Sequence, residues 1–123
     1  MCIRDSGTSM CCSRIRVTLN GVVKDKQGGY AGTYQKASGL INNRSHWIDG
    51  NQALWYNIIT NVWEIADSSQ LGANANNSIH SVQDTACPTS DNLFRYYDVD
   101  ADKWLLHNKW LLAPINSVSI QCV

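Results

Sequence analysis

Apolar and polar residues alternate along two stretches near the two ends of the chain. Residues 15–19 follow a two-residue period up to the breaker Asn20-Gly21, and residues 118–122 follow it again. A two-residue period places every second side chain on one face, which is typical of a half-buried β-strand. Both stretches are therefore predicted to be strands.

Between these two strands the apolar runs are short and rich in aromatic and β-branched residues. The runs are 30–34, 47–48, 54–56, 62–65, 93–97 and 104–106, and the breakers between them are Gly28-Gly29, Gly39, Asp49-Gly50-Asn51, Gly72, Pro88 and Pro114. Strands at this spacing predict an all-β fold, an antiparallel sandwich or roll of short strands. No long window keeps a 3.6-residue apolar period, so little helix is expected beyond one turn near residues 68–71.

The first ten residues do not resemble the rest of the chain. Residues 1–6 have no apolar region of the kind a signal peptide needs, and they look like the translated adapter read-through that begins many metagenomic reading frames. We therefore expect residues 1–10 to be a non-native leader or linker and residues 11–123 to form a single β domain. The native N-terminus, with any signal peptide, is expected to be lost.

Charge narrows the choice of partners. Charged residues make up 16% of the chain and the formal net charge is zero. A balanced surface offers no broad basic face for phosphates, so nucleic acid is not expected as a partner. No stretch approaches the roughly 20 apolar residues of a membrane-spanning helix, so direct membrane insertion is not expected either.

The cysteines predict an oxidising compartment. The chain has five, at positions 2, 11, 12, 87 and 122, without a CxxC or Cys/His ligand spacing. This pattern favours a disulfide framework, whereas buried free thiols in a cytosolic protein are the alternative. If the first and last strands pair antiparallel, Cys12 and Cys122 come within bridging distance. Cys87–Cys122 is the rival pairing, and Cys11 is expected to be spare.

Two sequons would accept glycans in a secreted chain. They are Asn43-Arg44-Ser45 and Asn76-Asn77-Ser78. They make Asn43 and Asn76 the glycosylation candidates.

The five tryptophans are the most prominent candidate binding residues. An indole offers a large flat face for sugars or peptides, but core packing is the expected role for four of the five. Trp55 and Trp63 lie in strand-like runs and are expected to be buried, whereas Trp110 is expected to be exposed. The ligand-binding candidates are Trp110, Trp47 and Tyr97.

Sequence motifs for catalysis or metal binding are weak. Residues 98–102 place Asp at alternate positions as a calcium loop does, but Lys103 and Lys109 stand where that loop needs Gly and Glu. The three histidines share no local spacing, and no GxSxG, HExxH or glycine-rich phosphate loop is present. We therefore expect no catalytic residues, no metal and no cofactor.

The order of landmarks resembles a known module. It runs through Cys12-Ser13, Tyr30-Ala31-Gly32-Thr33-Tyr34, Asn42-Asn43-Arg44-Ser45-His46-Trp47, Ala53-Leu54-Trp55-Tyr56, Trp63-Glu64-Ile65, Cys87-Pro88 and Val118-Ser119-Ile120-Gln121-Cys122. A similar order occurs in a β module that recurs, often in tandem, in extracellular proteins of marine invertebrates and protists. Asn43 and Ser45 replace the Gly and Pro of that module's hairpin, and Ala66 replaces a Gly.

The resemblance implies location and architecture but no particular activity. The expected function is a non-catalytic extracellular structural or binding module, one repeat of a larger secreted or cell-surface protein. Its expected partners are neighbouring modules of the same chain and a glycan or protein ligand. A ligand-free spacer domain is the alternative, and a small hydrolase-like enzyme is the least favoured one.

Overall fold

The computed structural model describes residues 11–74, 79–90, 93–97, 110–114 and 116–123. The strands are β1 (Arg14–Leu19), β2 (Gly32–Lys36), β3 (Trp47–Asp49), β4 (Gln52–Asn57), β5 (Val62–Asp67), β6 (Ile79–Ser81), β7 (Phe94–Tyr97), β8 (Trp110–Leu112) and β9 (Val118–Cys122). They form one sheet in the order β8-β7-β6-β5-β4-β3-β2-β1-β9, and every pairing is antiparallel. The predicted all-β class is confirmed.

The single sheet curls into a nearly closed roll. The helix α1 (Gly21–Gln27) follows β1, yet it contacts β7 near the other end of the strand order. Within the described ranges, seventeen buried residues form one apolar cluster inside this curl. The architecture is therefore a roll rather than a sandwich of two separate sheets.

The two alternating stretches of the sequence pair with each other. Ile15 is the register partner of Cys122, Val17 of Ile120 and Leu19 of Val118. Along β1, buried and exposed side chains alternate without exception. The two-residue period therefore predicted both the strands and the face that enters the core.

The helix α1 is not predicted by the sequence pattern, because its seven residues are too few for a visible period. Val23 is fully buried, and Gln27, one helical turn further on, is also buried. Short helices are marginal by themselves, so this one depends on packing against the sheet. The turn expected near residues 68–71 is present as a 3-10 turn at Ser68–Gln70.

The core is aromatic on the inner face of the sheet. Trp47, Tyr56 and Trp63 contact one another edge to face, with ring centroids 5.9 Å apart for Trp47–Trp63 and 5.4 Å apart for Tyr56–Trp63. Edge-to-face pairs of this kind add to the stabilisation from apolar burial. A smaller cluster of Ala53, Trp55 and Ala66 lies elsewhere, against Ile41, Ile48 and Leu71. The expected burial of Trp55 and Trp63 is confirmed.

Two disulfides brace one end of the roll. Cys12 bonds to Cys122 with a Cα–Cα distance of 5.8 Å, as expected from the pairing of β1 with β9. Cys11 bonds to Cys87 with a Cα–Cα distance of 5.6 Å. The expectation that Cys11 is spare was wrong, and so was the rival pairing of Cys87 with Cys122. Two disulfides indicate an oxidising, non-cytoplasmic environment.

The substituted hairpin keeps its turn geometry. Asn42 and Asn43 adopt φ angles of 53° and 67°. Ile41 and Arg44 exchange both backbone hydrogen bonds across them. Asn tolerates the left-handed region better than other non-glycine residues, so Asn43 can replace the Gly of the resembled module. The side chain of Asn43 is exposed to solvent.

Candidate functional site

The three predicted ligand-binding residues do not form one site. Trp47 is fully buried in the core, and its Nε1 donates to the Cys12 carbonyl at 3.0 Å. Tyr97 and Trp110 are register partners on β7 and β8, separated from β3 in the strand order by β4, β5 and β6. Trp47 therefore has no exposed face for a ligand, while Tyr97 and Trp110 are brought together by the sheet.

Several other predicted features fall outside the described residues. These are the glycosylation candidate Asn76, the Asp-rich stretch at residues 98–102, and Trp104. Asn43 is described, and its exposed position in a turn suits a glycan acceptor.

The Arg44 guanidinium packs on aromatic side chains of the core, near the end of the roll that carries the disulfides. Its guanidinium carbon lies 3.8 Å from the centroid of the Tyr56 ring and 6.0 Å from that of Trp63. Its Nη1 donates to the Thr85 carbonyl at 2.9 Å, and its Nη2 lies 4.0 Å from Asp84 Oδ1. The planar cation stacks on the rings while its donors hold the segment that contains Cys87.

A buried polar network joins the ends of β4 and β5. Asn57 Nδ2 donates to Glu64 Oε2 at 3.3 Å and to Asn74 Oδ1 at 2.6 Å. Asn57 Oδ1 accepts from the backbone N–H groups of Ile59 at 2.9 Å and Thr60 at 3.2 Å. Since only 2% of Asn57 and 2% of Glu64 is exposed, this network fixes structure and offers little surface to a ligand.

The turn fixed by Asn57 presents two apolar side chains to solvent. Ile58 is 55% exposed and Ile59 is 70% exposed. Asn61 adopts a φ of 61°, and its N–H donates to the Asn57 carbonyl at 2.8 Å. The two isoleucines therefore stand on a rigid turn, which is a form in which apolar side chains serve protein contacts.

The other end of the β4–β5 hairpin carries a polar recess of about 290 Å³. It is lined by Asn51, Asp67, Ser68 and Ser69. Asn51 belongs to the β3–β4 turn, Asp67 is the last residue of β5, and Ser68 and Ser69 follow it directly. The hairpin register pairs Gln52 with Asp67, so the two loops meet at one edge.

Internal backbone contacts hold the two loops of the recess. The Ser68 N–H donates to the Asn51 carbonyl at 2.8 Å, and the Leu71 N–H donates to the Ser68 carbonyl at 3.1 Å. Gln52 Nε2 donates to the Gly29 carbonyl, which ties the turn before β2 to the same edge. Burial raises the pKa of the Tyr30 phenol, and the charge of nearby Asp67 raises it further.

Sequence reasoning missed this recess. The signal was present as two clusters of turn-forming polar residues, 49–51 and 67–69, on either side of strand-like runs. Pairing those runs as a hairpin would have brought the two clusters to one edge.

The described part of the chain contains neither a metal-ligand cluster nor a membrane-spanning helix. Those residues contain no group of three or more His, Cys, Asp or Glu side chains placed to hold a metal ion. None of their helices is both long and apolar enough to cross a membrane.

The comparisons with family models, curated proteins and solved structures return no match.

Proposed function

We propose that the chain is a non-catalytic extracellular module that contacts glycans or proteins through its loops. It is one repeat of a larger secreted or cell-surface protein, flanked by neighbouring modules. The observation that carries the proposal is the disulfide bracing of one end of the roll. Cys11 and Cys12 tie the start of the domain to Cys87 and to Cys122 at its end.

Two consequences of this bracing support a repeat unit. The disulfides are typical of extracellular proteins, which do not meet the reducing cytosol. The start and the end of the domain also lie side by side, because the Cα atoms of Cys12 and Cys122 are 5.8 Å apart. Adjacent termini are a feature of domains that tolerate insertion into longer chains.

Exposed, rigid loops support a binding role over a pure spacer. The apolar turn at Ile58 and Ile59 suits a protein surface, and the polar recess suits a hydrated ligand. Burial of Trp47, Trp55 and Trp63 removes three indoles from any glycan platform. A ligand-free spacer remains the second candidate, favoured by the same side-by-side ends.

The test begins with secretion of residues 11–123 and mapping of the cystine peptides without reduction. The oxidised module is then tetramerised and applied to immobilised glycans and to immobilised extracellular proteins. The double variant Ile58→Ser/Ile59→Ser is the comparison for protein binding. Saturable binding by the oxidised module supports the proposal. Oxidised module that binds nothing assigns the spacer role, and correctly folded protein with free thiols contradicts the extracellular location.

A further inference from the structure

We propose that the recess lined by Asn51, Asp67, Ser68 and Ser69 binds one neutral sugar unit through its hydroxyl groups. The inference rests on the proposed binding function and names its ligand class and position. It concerns the edge of the β4–β5 hairpin opposite to the apolar turn.

The side chains that line the recess are available to a ligand. Among the described residues, the carboxylate of Asp67 has no ion pair, and the side chains of Asn51, Ser68 and Ser69 have no hydrogen-bond partner within the chain. Asn51, Asp67 and Ser69 are exposed, and Ser68 is partly so. The hydrogen-bonding capacity of this surface is therefore unused by the fold.

The functional groups select the ligand class. A carboxylate accepts hydrogen bonds from neighbouring hydroxyls, while an amide and two serine hydroxyls both donate and accept. Asp67 is the sole ionisable residue among the described residues that line the recess, so the recess repels phosphate, sulfate and carboxylate ligands. A single carboxylate also falls short of the several oxygen ligands that Ca²⁺ requires. Neutral polyhydroxyl compounds satisfy the donors and acceptors without a charge penalty.

Size and rigidity fit a single ring. The volume of about 290 Å³ lies at the low end of the roughly 300–1,000 Å³ range of small-molecule sites. The backbone hydrogen bond between Ser68 and Asn51 fixes the relative position of the two loops before any ligand arrives. A preorganised site loses less ordering entropy on binding.

The experiment is a titration of the oxidised, isotope-labelled chain with methyl glycosides of glucose, galactose, mannose and N-acetylglucosamine, followed by amide NMR shifts. We expect at least one glycoside to shift the amides of Asn51, Ser68 and Ser69 in a saturable manner. Asp67→Asn keeps the shape but removes the charge, so it should weaken binding at least about tenfold, since hydrogen bonds to charged groups are the strong ones. Asp25→Asn, at an exposed position on α1, should leave binding unchanged.

The outcomes separate this inference from the proposed function. Absence of shifts for all four glycosides up to tens of millimolar overturns the sugar site, as do shifts confined to other residues. Equal weakening by Asp67→Asn and Asp25→Asn overturns it as well. If protein binding by the tetrameric module persists in that case, the proposed function stands without the sugar site. If the module binds neither glycosides nor proteins, the binding function fails together with the sugar site.

Discussion

The contacts of Arg44 join several separate parts of the structure. It stacks on Tyr56, reaches Trp63 and donates to the carbonyl of Thr85, in the segment held by the Cys11–Cys87 disulfide. In the sequence it stands out only as part of a sequon and a hairpin turn. The aromatic partners were predictable as core residues, but their approach to Arg44 depends on the tertiary fold.

Replacing Arg44 tests how much its contacts with Tyr56, Trp63 and Thr85 stabilise the fold. We expect Arg44→Ala to lower the free energy of unfolding by about 1–3 kcal/mol, because it removes a cation–π contact and one of the two donors to the Thr85 carbonyl, which also accepts from Trp63 Nε1 at 2.9 Å. Arg44→Lys should cost less, since the charge remains while the planar stacking is lost. Urea denaturation of the oxidised protein measures both. Arg16→Ala, at an exposed position on β1, is the control and should change stability by less than about 0.5 kcal/mol. Equal losses for Arg16→Ala and Arg44→Ala would contradict the role given to Arg44.

Two histidines with lowered pKa values, the buried His46 and the half-buried His80, should make stability depend on pH. Burial lowers the pKa of His46 and of His80, and in His80 the charge of Arg95 lowers it further while a hydrogen bond to the Ser81 carbonyl opposes the shift. A lowered pKa in the folded state means that the unfolded chain takes up protons first as the pH falls. Stability is therefore complete above the unfolded pKa of about 6.5 and declines as the pH falls below it.

The measurement is chemical denaturation at about pH 7.5 and about pH 5.5, above and below the unfolded histidine pKa. The wild-type chain should lose stability at the lower pH. The variant His46→Gln/His80→Gln should lose less, because the glutamines do not titrate. Glu64 faces His80 as its register partner on β5, so the comparison stays above the range in which unperturbed carboxylates titrate. An identical pH dependence in the two proteins would be evidence against these histidines as its source.

At the scale of the elements, long stretches of alternating residues were more informative than short ones. The alternation in β1 and β9 predicted the two strands and their buried faces, and the structure adds that these strands pair with each other. The strands β6 and β8 are three residues each, too short to show a period, and they were missed. The helix α1 was missed for the same reason. Short elements take their conformation from their neighbours, so their presence follows from the completed sheet.

The β4–β5 turn depends on the side chain of Asn57. Asn57→Ala should lower the free energy of unfolding by about 2–4 kcal/mol, because buried polar partners and two turn N–H groups lose their hydrogen bonds. Asn57→Asp keeps the acceptor for the turn but places a second carboxylate beside Glu64, so it should be destabilised at neutral pH and partly restored in acid. Chemical denaturation at neutral pH and at acidic pH checks these expectations.

The matched control for Asn57 lies in the same turn. Asn61→Gly suits the φ of 61° at that position and should be nearly neutral. If Asn61→Gly is as damaging as Asn57→Ala, the turn is sensitive to any change and the network of Asn57 has no special role. If the stability of the Asn57→Asp variant does not depend on pH, Glu64 does not interact with the new carboxylate.

For the whole molecule, the cysteines were the most informative residues in the sequence, yet they gave only part of the answer. An antiparallel pairing of β1 with β9 made the bond between Cys12 and Cys122 one of two candidates, and the structure contains this bond. The bond between Cys11 and Cys87 was not predictable, because it depends on where the segment after β6 crosses the end of the roll. The recess escaped prediction for a similar reason, since its two loops meet only after β4 and β5 pair.

The two disulfides should respond differently to reductant. Cys122 is exposed, whereas Cys11 is 7% exposed inside the core cluster. Thiol–disulfide exchange requires access to a sulfur atom, so mild reduction should open Cys12–Cys122 first. Peptide mapping after partial reduction and alkylation should therefore find the label on Cys12 and Cys122 while Cys11 and Cys87 remain bonded. Label on Cys11 and Cys87 first would contradict this order.

The sequence separations of 76 and 110 are long, so on the chain-entropy model each bridge alone contributes up to about 4–5 kcal/mol. Cys12→Ser/Cys122→Ser should accordingly lower the unfolding temperature strongly while retaining the Cys11–Cys87 bond.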